Sequence, residues 1–356
     1  MSNTIEALTV LLNGVPAGKL HVTGTGRAEF CYDYDYLLNR ASVPLSMSLP
    51  FRDQPFSSEA TMRWIDSLLP DDESAYFSLG GFQAKTALHW LADGWARPYG
   101  NIPTTHILKP SPAGRPDQAV AEHLCLAVAR RLGLHAAESE IAVYAEHPTA
   151  IVTRYDRVQT DTGWERVHQE DMCQALGGSP QQKYEKHGGP GIAPIGDAIQ
   201  RFSADPDADL RRFRDALLYY WIIVNRDGHA RNYSITIDSR SIKLAPLYDI
   251  SSALPFANKR IGSLEMAMRF GSDFTVYRAG AKDSLASLAA YLMIPLDETI
   301  NRAEEIASGV VTATESEISA LPSGVPTTGA LELFKDRLKQ RASDCLQTIS
   351  TNRQKS

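Results

Sequence analysis

The feature that most constrains the fold is an apolar run, ALLYYWII (216–223), followed directly by the polar stretch VNRDGHARNYSI (224–235). The run ends a helical pattern and has to be buried, because apolar side chains are stabilised when they leave water. The polar stretch then places an Asp, a His and two Asn at the end of a core helix. Either it is an ordinary surface turn, or it is a catalytic loop that the buried helix anchors.

The composition indicates a globular protein of two lobes or domains. The chain has 356 residues, 43% hydrophobic and 22% charged, so it can bury a large core and is not expected to be disordered. A net charge of −6 argues against binding nucleic acid through global charge. The apolar stretches are too short for a membrane span and MSNTIEALTV lacks a signal pattern, which predicts a cytoplasmic protein without membrane contact. Four scattered cysteines indicate reduced thiols.

The two halves of the chain differ in their patterns. The first half is typical of strands with two inserted helices; its hairpins turn at Asn13-Gly14 and Asp93-Gly94, and TTHILKP is a short buried strand. From about His168 the pattern becomes mainly helical, interrupted by a small hairpin in NYSITIDSRSIKLAPLYD. The sequence therefore predicts an α+β fold with a sheet-rich N-terminal lobe and a mainly helical C-terminal lobe, which is the layout of a protein kinase.

The spacing within the polar stretch can be compared with kinase chemistry. Phosphoryl transfer needs a carboxylate to orient the attacking hydroxyl, an Asn and a second Asp to hold Mg²⁺, and a Lys on the phosphates. Asp227 and Asn232 have the D-x-x-x-x-N spacing of the kinase catalytic loop, and Asp249 follows the small hairpin, where the second Asp belongs. The spacing alone occurs by chance in many proteins. Together with the hairpin, the second Asp and the order of the lobes, it favours a catalytic loop.

Several further motifs carry a family resemblance. These are RDGHARN, LAPLYDISSALP, QEDMCQALG, KYEKHGGPGIA, SLGGFQAKTAL, PTTHILK and PLSMSLP. They resemble, in the same order, motifs of the HipA family of bacterial serine/threonine kinase toxins, and the resemblance extends from the first hairpin almost to the C-terminus. It implies a HipA-like fold with an N-terminal subdomain at 1–75, a kinase N-lobe with phosphate loop and hinge at 76–155, and a mainly helical kinase C-lobe at 156–356.

The resemblance also implies roles for individual residues. Asp227 matches the catalytic base, and Asn232 and Asp249 match the Mg²⁺ ligands. Lys109 matches the lysine on the ATP phosphates, with Glu122 as its ion-pair partner. The other residues implied to bind the nucleotide belong to the phosphate loop, the hinge and the catalytic segments: Gly80, Gly81, Phe82, Gln83, Lys85, Thr153, Arg154, Tyr155, His229 and Tyr248.

Each assignment has a purely structural alternative. Lys109 and Glu122 would contribute well under about 1 kcal/mol if they were a surface pair. Gly80-Gly81 would be an ordinary turn, since neither the G-x-G-x-x-G spacing nor a Walker motif is present. His229 suits a packing or backbone-bonding role better than that of an acid or base.

The region before the phosphate loop departs from the family pattern in two respects. The family usually has an acidic residue where this chain has Ala84, and it has a longer section before the loop, whereas here LPDDESA runs almost directly into YFSLGG. Ser78 in this stretch matches a serine that family members autophosphorylate to switch themselves off. The alternative is that Ser78 only bonds the loop backbone.

The function implied by the resemblance is that of an ATP- and Mg²⁺-dependent serine/threonine kinase, the toxin of a toxin–antitoxin pair. Its substrates would be itself and an aminoacyl-tRNA synthetase, the glutamate enzyme in particular, so that translation stops and dormancy or persistence follows. The implied partners are a HipB-like helix-turn-helix antitoxin and, mainly through it, operator DNA. Two other functions stay open: a weakly active or inactive ATP-binding corepressor, and a small-molecule phosphotransferase, since antibiotic kinases share this Asp–Asn–Asp arrangement.

Overall fold

The secondary structure confirms the predicted α+β class, with sheets in the first half of the chain and helices in the second. The structure is a computed structural model that describes residues 6–22, 27–68, 84–92, 94–100, 102–239, 241–257 and 260–354. Within these ranges, none of the helices is both long enough and apolar enough to cross a membrane.

The first sheet belongs to the N-terminal subdomain. It has three antiparallel strands in the order β1-β2-β3, namely Glu6–Leu12, Val15–Val22 and Ala28–Tyr32. The first two form the predicted hairpin, and Asn13 and Gly14 at its turn adopt φ angles of 51° and 82°, which cost these two residue types least. Two helices follow, α1 at Tyr34–Leu38 and α2 at Ser58–Leu68. Aromatic side chains between the sheet and helices form a small separate core.

The second sheet positions the first of the candidate site residues. Its strands are β4 (Thr86–Leu91), β5 (Gly94–Ala96), β6 (His106–Pro110), β7 (Ser139–Tyr144) and β8 (His147–Thr153), in the antiparallel order β5-β4-β6-β8-β7. Helix α3 (Gln118–Arg131) follows β6 in the chain and packs against β7 and β8. Strand β6 is therefore central in the sheet, and Lys109 on it is buried and reaches Glu122 on α3.

The C-terminal lobe is mainly helical and also contains two small sheets. Its helices are α4 (Met172–Ala175), α5 (Ile192–Phe202), α6 (Pro206–Ile223), α7 (Val276–Ala279), α8 (Lys282–Tyr291), α9 (Leu296–Ser319) and α10 (Gly329–Gln354). Its strands are β9 (Arg157–Thr160) and β10 (Gly163–Arg166), which pair with each other, and β11 (His168–Asp171), β12 (Ser234–Ile237) and β13 (Ile242–Leu244), in the order β11-β12-β13. The predicted hairpin β12–β13 thus gains a third strand. The helical half begins after that strand, at Met172 rather than His168.

Strand β11 also connects the two parts of the chain. His168 Nε2 lies 3.1 Å from Leu45 O, and Glu170 Oε2 accepts a hydrogen bond of 2.8 Å from Met47 N. The Glu170 side chain is almost fully buried, with 4% of the residue exposed. Burial favours the uncharged carboxylic acid and raises the pKa of Glu170 from 4.5 to about 7.

This shift predicts a pH-dependent contribution to stability. Because the folded protein holds the Glu170 proton more tightly than the unfolded chain does, the contribution is complete below pH 4.5 and is lost as the pH rises to about 7. Glu170→Gln keeps an acceptor for Met47 N but cannot ionise. We expect it to be more stable than the wild type at pH 8, by on the order of 1–2 kcal/mol, and to converge with it near pH 5.

Denaturant unfolding of both proteins between pH 5 and pH 8 measures this difference. The matched control is Glu138→Gln, since Glu138 is exposed and forms a surface ion pair with Arg130. If the difference in the free energy of unfolding between Glu170→Gln and the wild type is the same at every pH, Glu170 does not titrate in this range.

Candidate active site

Helix α6 anchors the polar stretch on the core. The Asp205 side chain caps its first turn by accepting from Ala208 N at 3.2 Å, and the apolar run at its other end is fully buried. The Trp221 indole in that run donates to Val276 O at 3.0 Å, which fixes the end of the helix against α7. Val224 ends α6 with a φ of 57°, an uncommon conformation for a β-branched residue. This left-handed residue turns the chain out of the core into the candidate catalytic loop.

The loop is ordered by hydrogen bonds within itself. Asn232 Nδ2 donates to Asp227 O at 2.5 Å, a contact that the five-residue spacing permits, and His229 N donates to the same oxygen at 2.8 Å. Gly228 has no room for a side chain, because a Cβ there would lie 2.5 Å from the Tyr220 ring. The backbone of the loop is thus fixed, while the Asp227 carboxylate remains 53% exposed. This arrangement suits a base that has to meet an acceptor from solution.

His229 is buried beside this carboxylate, with 4% of the residue exposed. Its Nε2 lies 3.6 Å from Asp227 Oδ1, which is too long for a hydrogen bond. Burial lowers the pKa of His229 to about 4, so the ring is uncharged at neutral pH. The packing role suggested from sequence agrees with this position, and a contact of His229 with the nucleotide stays a prediction.

A buried lysine joins two carboxylates from distant parts of the chain. Lys109 Nζ on β6 lies 2.5 Å from Glu122 Oε1 on α3 and 2.7 Å from Asp249 Oδ1. Only 5% of Lys109 is exposed, so the alternative of a surface pair with Glu122 is wrong. Two carboxylate partners together offset the cost of burying this charged amine.

The charges in this trio are fixed by their mutual contacts. Burial would lower the pKa of Lys109, but Asp249 and Glu122 together raise it above its ordinary value, so the amine stays charged. The Lys109 ammonium in turn holds the pKa of Asp249 at about 2. Lys85 is the last residue of the predicted phosphate loop and is partly buried. It lies close enough to interact electrostatically with Asp249 and Lys109, and burial lowers its pKa. At neutral pH the site therefore contains a charged amine beside an ionised carboxylate.

Asp249 adopts a left-handed backbone conformation, with a φ of 55°. The residues before it are held on both sides: Leu247 N donates to His135 O and Ala137 N donates to Leu247 O, each at 2.8 Å. Tyr248 donates its hydroxyl to Arg231 O at 2.8 Å. Because the backbone on its N-terminal side is anchored in this way, Asp249 Oδ1 meets Lys109 while 38% of the Asp249 side chain stays exposed.

The predicted hinge meets the same region from the other lobe. The Tyr155 and Tyr248 rings stack with centroids 5.6 Å apart and planes inclined by 27°. Thr153 N donates to Glu138 O and Arg154 N donates to Thr105 O, both at 2.9 Å. Among the described residues, Tyr155 N has no acceptor, and the adenine contact through the backbone of Thr153 to Tyr155 stays a prediction.

Other predicted positions lie outside the described residues. These are Ser78 and, in the phosphate loop, Gly80, Gly81, Phe82 and Gln83. The assignments made for them from sequence stay predictions.

The donor groups present fit Mg²⁺. Asn232 uses its amide nitrogen to bond Asp227 O, which leaves its amide oxygen for a metal ion, and Asp249 Oδ2 accepts no hydrogen bond from the described residues. In the part of the chain that the structure describes, no group of three or more His, Cys, Asp or Glu is placed to hold a metal. Mg²⁺ does not need such a group, since it binds through one or two protein oxygens together with substrate phosphates and water.

One contact at the site escaped the analysis of the sequence. The Tyr184 hydroxyl donates a hydrogen bond to Asp227 Oδ1 from the loop between α4 and α5. The motif KYEKHGGPGIA, which contains Tyr184, was the available signal, but nothing in its spacing indicates that its tyrosine meets the candidate base.

The family comparisons decide what kind of protein carries this site. The sequence model of the HipA-like C-terminal domain matches residues 77–318, more than half of the chain, and that of the HipA N-terminal domain matches residues 8–86. The chain belongs to the HipA family. This confirms the resemblance found in the sequence motifs.

Individual HipA relatives agree with this assignment. The Sinorhizobium fredii protein named "Putative kinase Y4mE" is 35% identical over 236 residues, which cover 64% of this chain and 56% of that protein. The Shewanella oneidensis serine/threonine-protein kinase toxin HipA is 26% identical over 264 residues, which cover 70% of this chain and 59% of that toxin. The matched part of this chain spans less than two thirds of the length of either relative.

A solved structure shows that the fold is shared as well. A chain of the Shewanella oneidensis toxin–antitoxin complex of HipA, HipB and operator DNA superposes with a TM-score of 0.84, covering 99% of each chain at 19% sequence identity. The predicted two-lobed, HipA-like fold is therefore confirmed.

Proposed function

We propose that this chain is an ATP- and Mg²⁺-dependent serine/threonine protein kinase that acts as the toxin of a toxin–antitoxin pair. The observation that carries the proposal is the buried Lys109, held between Glu122 and Asp249, in a structure whose Asp227 carboxylate remains exposed. A cation for phosphates, an ionised metal ligand and an accessible base are the parts that phosphoryl transfer requires.

Each side chain has a defined task in this proposal. Lys109 donates to the phosphates of ATP, and Glu122 keeps the lysine charged and oriented. Asp227 accepts the proton of the acceptor hydroxyl, while the acceptor oxygen forms the new bond to phosphorus and ADP leaves with the electron pair of the broken bond. Mg²⁺, bound by Asn232 and Asp249, would neutralise negative charge on the phosphates.

The substrate and partners are proposed from family membership. We propose an aminoacyl-tRNA synthetase as the target, the glutamate enzyme first, with arrest of translation and dormancy as the consequence. The Shewanella oneidensis relative occurs in a complex with HipB and operator DNA, which supports a HipB-like antitoxin as partner. The net charge of −6 supports contact with DNA mainly through that antitoxin. Autophosphorylation of Ser78 and a cytoplasmic location stay predictions.

Labelled ATP tests the target directly. The purified chain is incubated with Mg²⁺, γ-labelled ATP and individual purified synthetases, and we expect label on a serine of one of them, mapped by mass spectrometry. Expression without an antitoxin is expected to stop growth, and Asp227→Asn is expected to be harmless. Label on an aminoglycoside instead of a protein would show a small-molecule phosphotransferase. Growth arrest by Asp227→Asn equal to that by the wild type would show that the toxicity does not depend on phosphoryl transfer.

A further inference from the structure

Tyr184 contacts the candidate base from a loop that the proposed function does not otherwise use. Its hydroxyl donates to Asp227 Oδ1, and in the described ranges Asp227 Oδ2 accepts no hydrogen bond. The Tyr184 ring meets the buried His229 ring edge to face, with centroids 4.8 Å apart and planes at 90°. The phenol is thus fixed by packing on one side while it holds one of the two carboxylate oxygens.

The loop that presents Tyr184 is itself held in place at both neighbouring residues. Lys183 O accepts from Ala230 N in the catalytic loop at 3.2 Å. On the other side, Glu185 Oε2 accepts from Arg269 N, and Glu185 Oε1 pairs with Arg269 Nε, both at 2.9 Å. Tyr184 therefore does not reach Asp227 as a free surface side chain. It is placed there by bonds to two other segments.

The glycines of the same motif make this conformation feasible. A Cβ on Gly189 would lie 2.1 Å from Gln182 O and 2.9 Å from Tyr184 O, and a Cβ on Gly191 would lie 2.5 Å from the Glu185 carboxyl carbon. A side chain at position 189 would clash with the backbone of this loop, and one at position 191 would displace the Glu185 carboxylate. The KYEKHGGPGIA motif thus builds a support for one tyrosine hydroxyl.

The neighbouring histidine does not supply the same bond. His229 Nε2 is 3.6 Å from Asp227 Oδ1, and burial keeps the ring uncharged at neutral pH by lowering its pKa to about 4. The catalytic-loop contacts of Asp227 involve its backbone, through Asn225, His229 and Asn232. Among the described residues, the Tyr184 hydroxyl is therefore the donor that fixes the carboxylate group itself.

We infer that Tyr184 is a positioning residue for phosphoryl transfer: it holds Asp227 Oδ1 so that Oδ2 faces the acceptor hydroxyl. This inference rests on the proposed kinase function. A half-exposed carboxylate would otherwise rotate about its side-chain torsions, and catalysis by a base depends on its orientation towards the proton that it accepts. Tyr184 keeps its own proton throughout, because burial and the adjacent Asp227 carboxylate raise the pKa of its hydroxyl.

Tyr184→Phe removes the hydroxyl and leaves the ring packing in place. We expect kcat for phosphoryl transfer to fall about tenfold, with the KM for ATP unchanged, because the ring does not contact the Lys109 trio. Tyr277→Phe is the matched control, because Tyr277 is 75% exposed on α7.

A second readout separates this inference from the proposed function. Aspartate labelled with ¹³C at the β carbon lets NMR relaxation follow the mobility of the Asp227 side chain, identified by the signal lost in Asp227→Asn, whether or not the protein transfers phosphate. A more mobile Asp227 side chain in Tyr184→Phe than in wild type and Tyr277→Phe supports the positioning role. Unchanged mobility overturns it, as does an unchanged kcat in an active enzyme. Absence of transfer in the wild type would overturn the kinase proposal, and the NMR relaxation would still decide about Tyr184.

Discussion

Asp227→Asn is expected to lower phosphoryl transfer at least about a hundredfold while leaving the affinity for ATP within a few-fold. The amide has the shape of the carboxylate and can still accept from Tyr184, so the loop is expected to keep its conformation. It cannot accept the proton of the attacking hydroxyl. Since the Asp227 side chain makes no contact with Lys109, Glu122 or Asp249 among the described contacts, its replacement should not disturb the phosphate side of the site.

Transfer of labelled phosphate and nucleotide titration, measured on the same preparation, distinguish these two effects. Asp283→Asn is a suitable control, because Asp283 lies on the surface and pairs with the half-exposed Arg278. Normal transfer by Asp227→Asn would contradict the kinase assignment. A large loss of ATP affinity would instead show that Asp227 contributes to nucleotide binding.

Asp249→Asn is expected to affect both binding and transfer. It removes a candidate Mg²⁺ ligand and also one of the two carboxylates that neutralise the buried Lys109. We expect the Kd for Mg²⁺–ATP to rise at least about tenfold, or 1.4 kcal/mol, and transfer to be lost. With Asp249 uncharged, Lys109 is paired with Glu122 alone, so its interaction with the phosphates should also change.

Nucleotide titration at several Mg²⁺ concentrations measures the two contributions of Asp249. If the carboxylate binds the metal, the loss of affinity in Asp249→Asn should shrink when ATP is titrated without Mg²⁺, and Asp283→Asn should match the wild type under both conditions. An equal loss with and without Mg²⁺ would assign Asp249 to the support of Lys109 only. Unchanged binding and full transfer would remove Asp249 from the site.

Some elements escaped the analysis of the sequence for identifiable reasons. Helix α9 contains the segment GVVTAT, whose Gly and β-branched residues are poor helix formers, so the helix depends on burial against α3, α6, α8 and α10. Strand β11 was assigned to the helical half because its HQED sequence has no clear alternation. It becomes a strand by pairing with β12, for example Glu170 opposite Ile235, and this partner lies more than sixty residues along the chain.

The features that could be predicted from the sequence are mostly local. The hairpin at Asn13-Gly14, the buried helix α6 and the turn after it follow from residue preferences and apolar periodicity within short windows. The five-residue spacing of Asp227 and Asn232 is of the same kind, since it lets an amide close on a carbonyl within one loop. The order of these local patterns, with strands first and helices second, was enough to indicate the class of the fold.

Meetings between distant polar groups depend on the packing of the whole chain. Lys109 and Asp249 are separated by 140 residues and Met47 and Glu170 by 123, and no local pattern records either contact. Tyr184 reaches Asp227 only because its loop is bonded to two other segments. The physical reason is that burying a charge is costly unless a partner is supplied at the right place. That place is fixed by the packing of whole sheets and helices, whereas residue type and spacing fix only the local conformation.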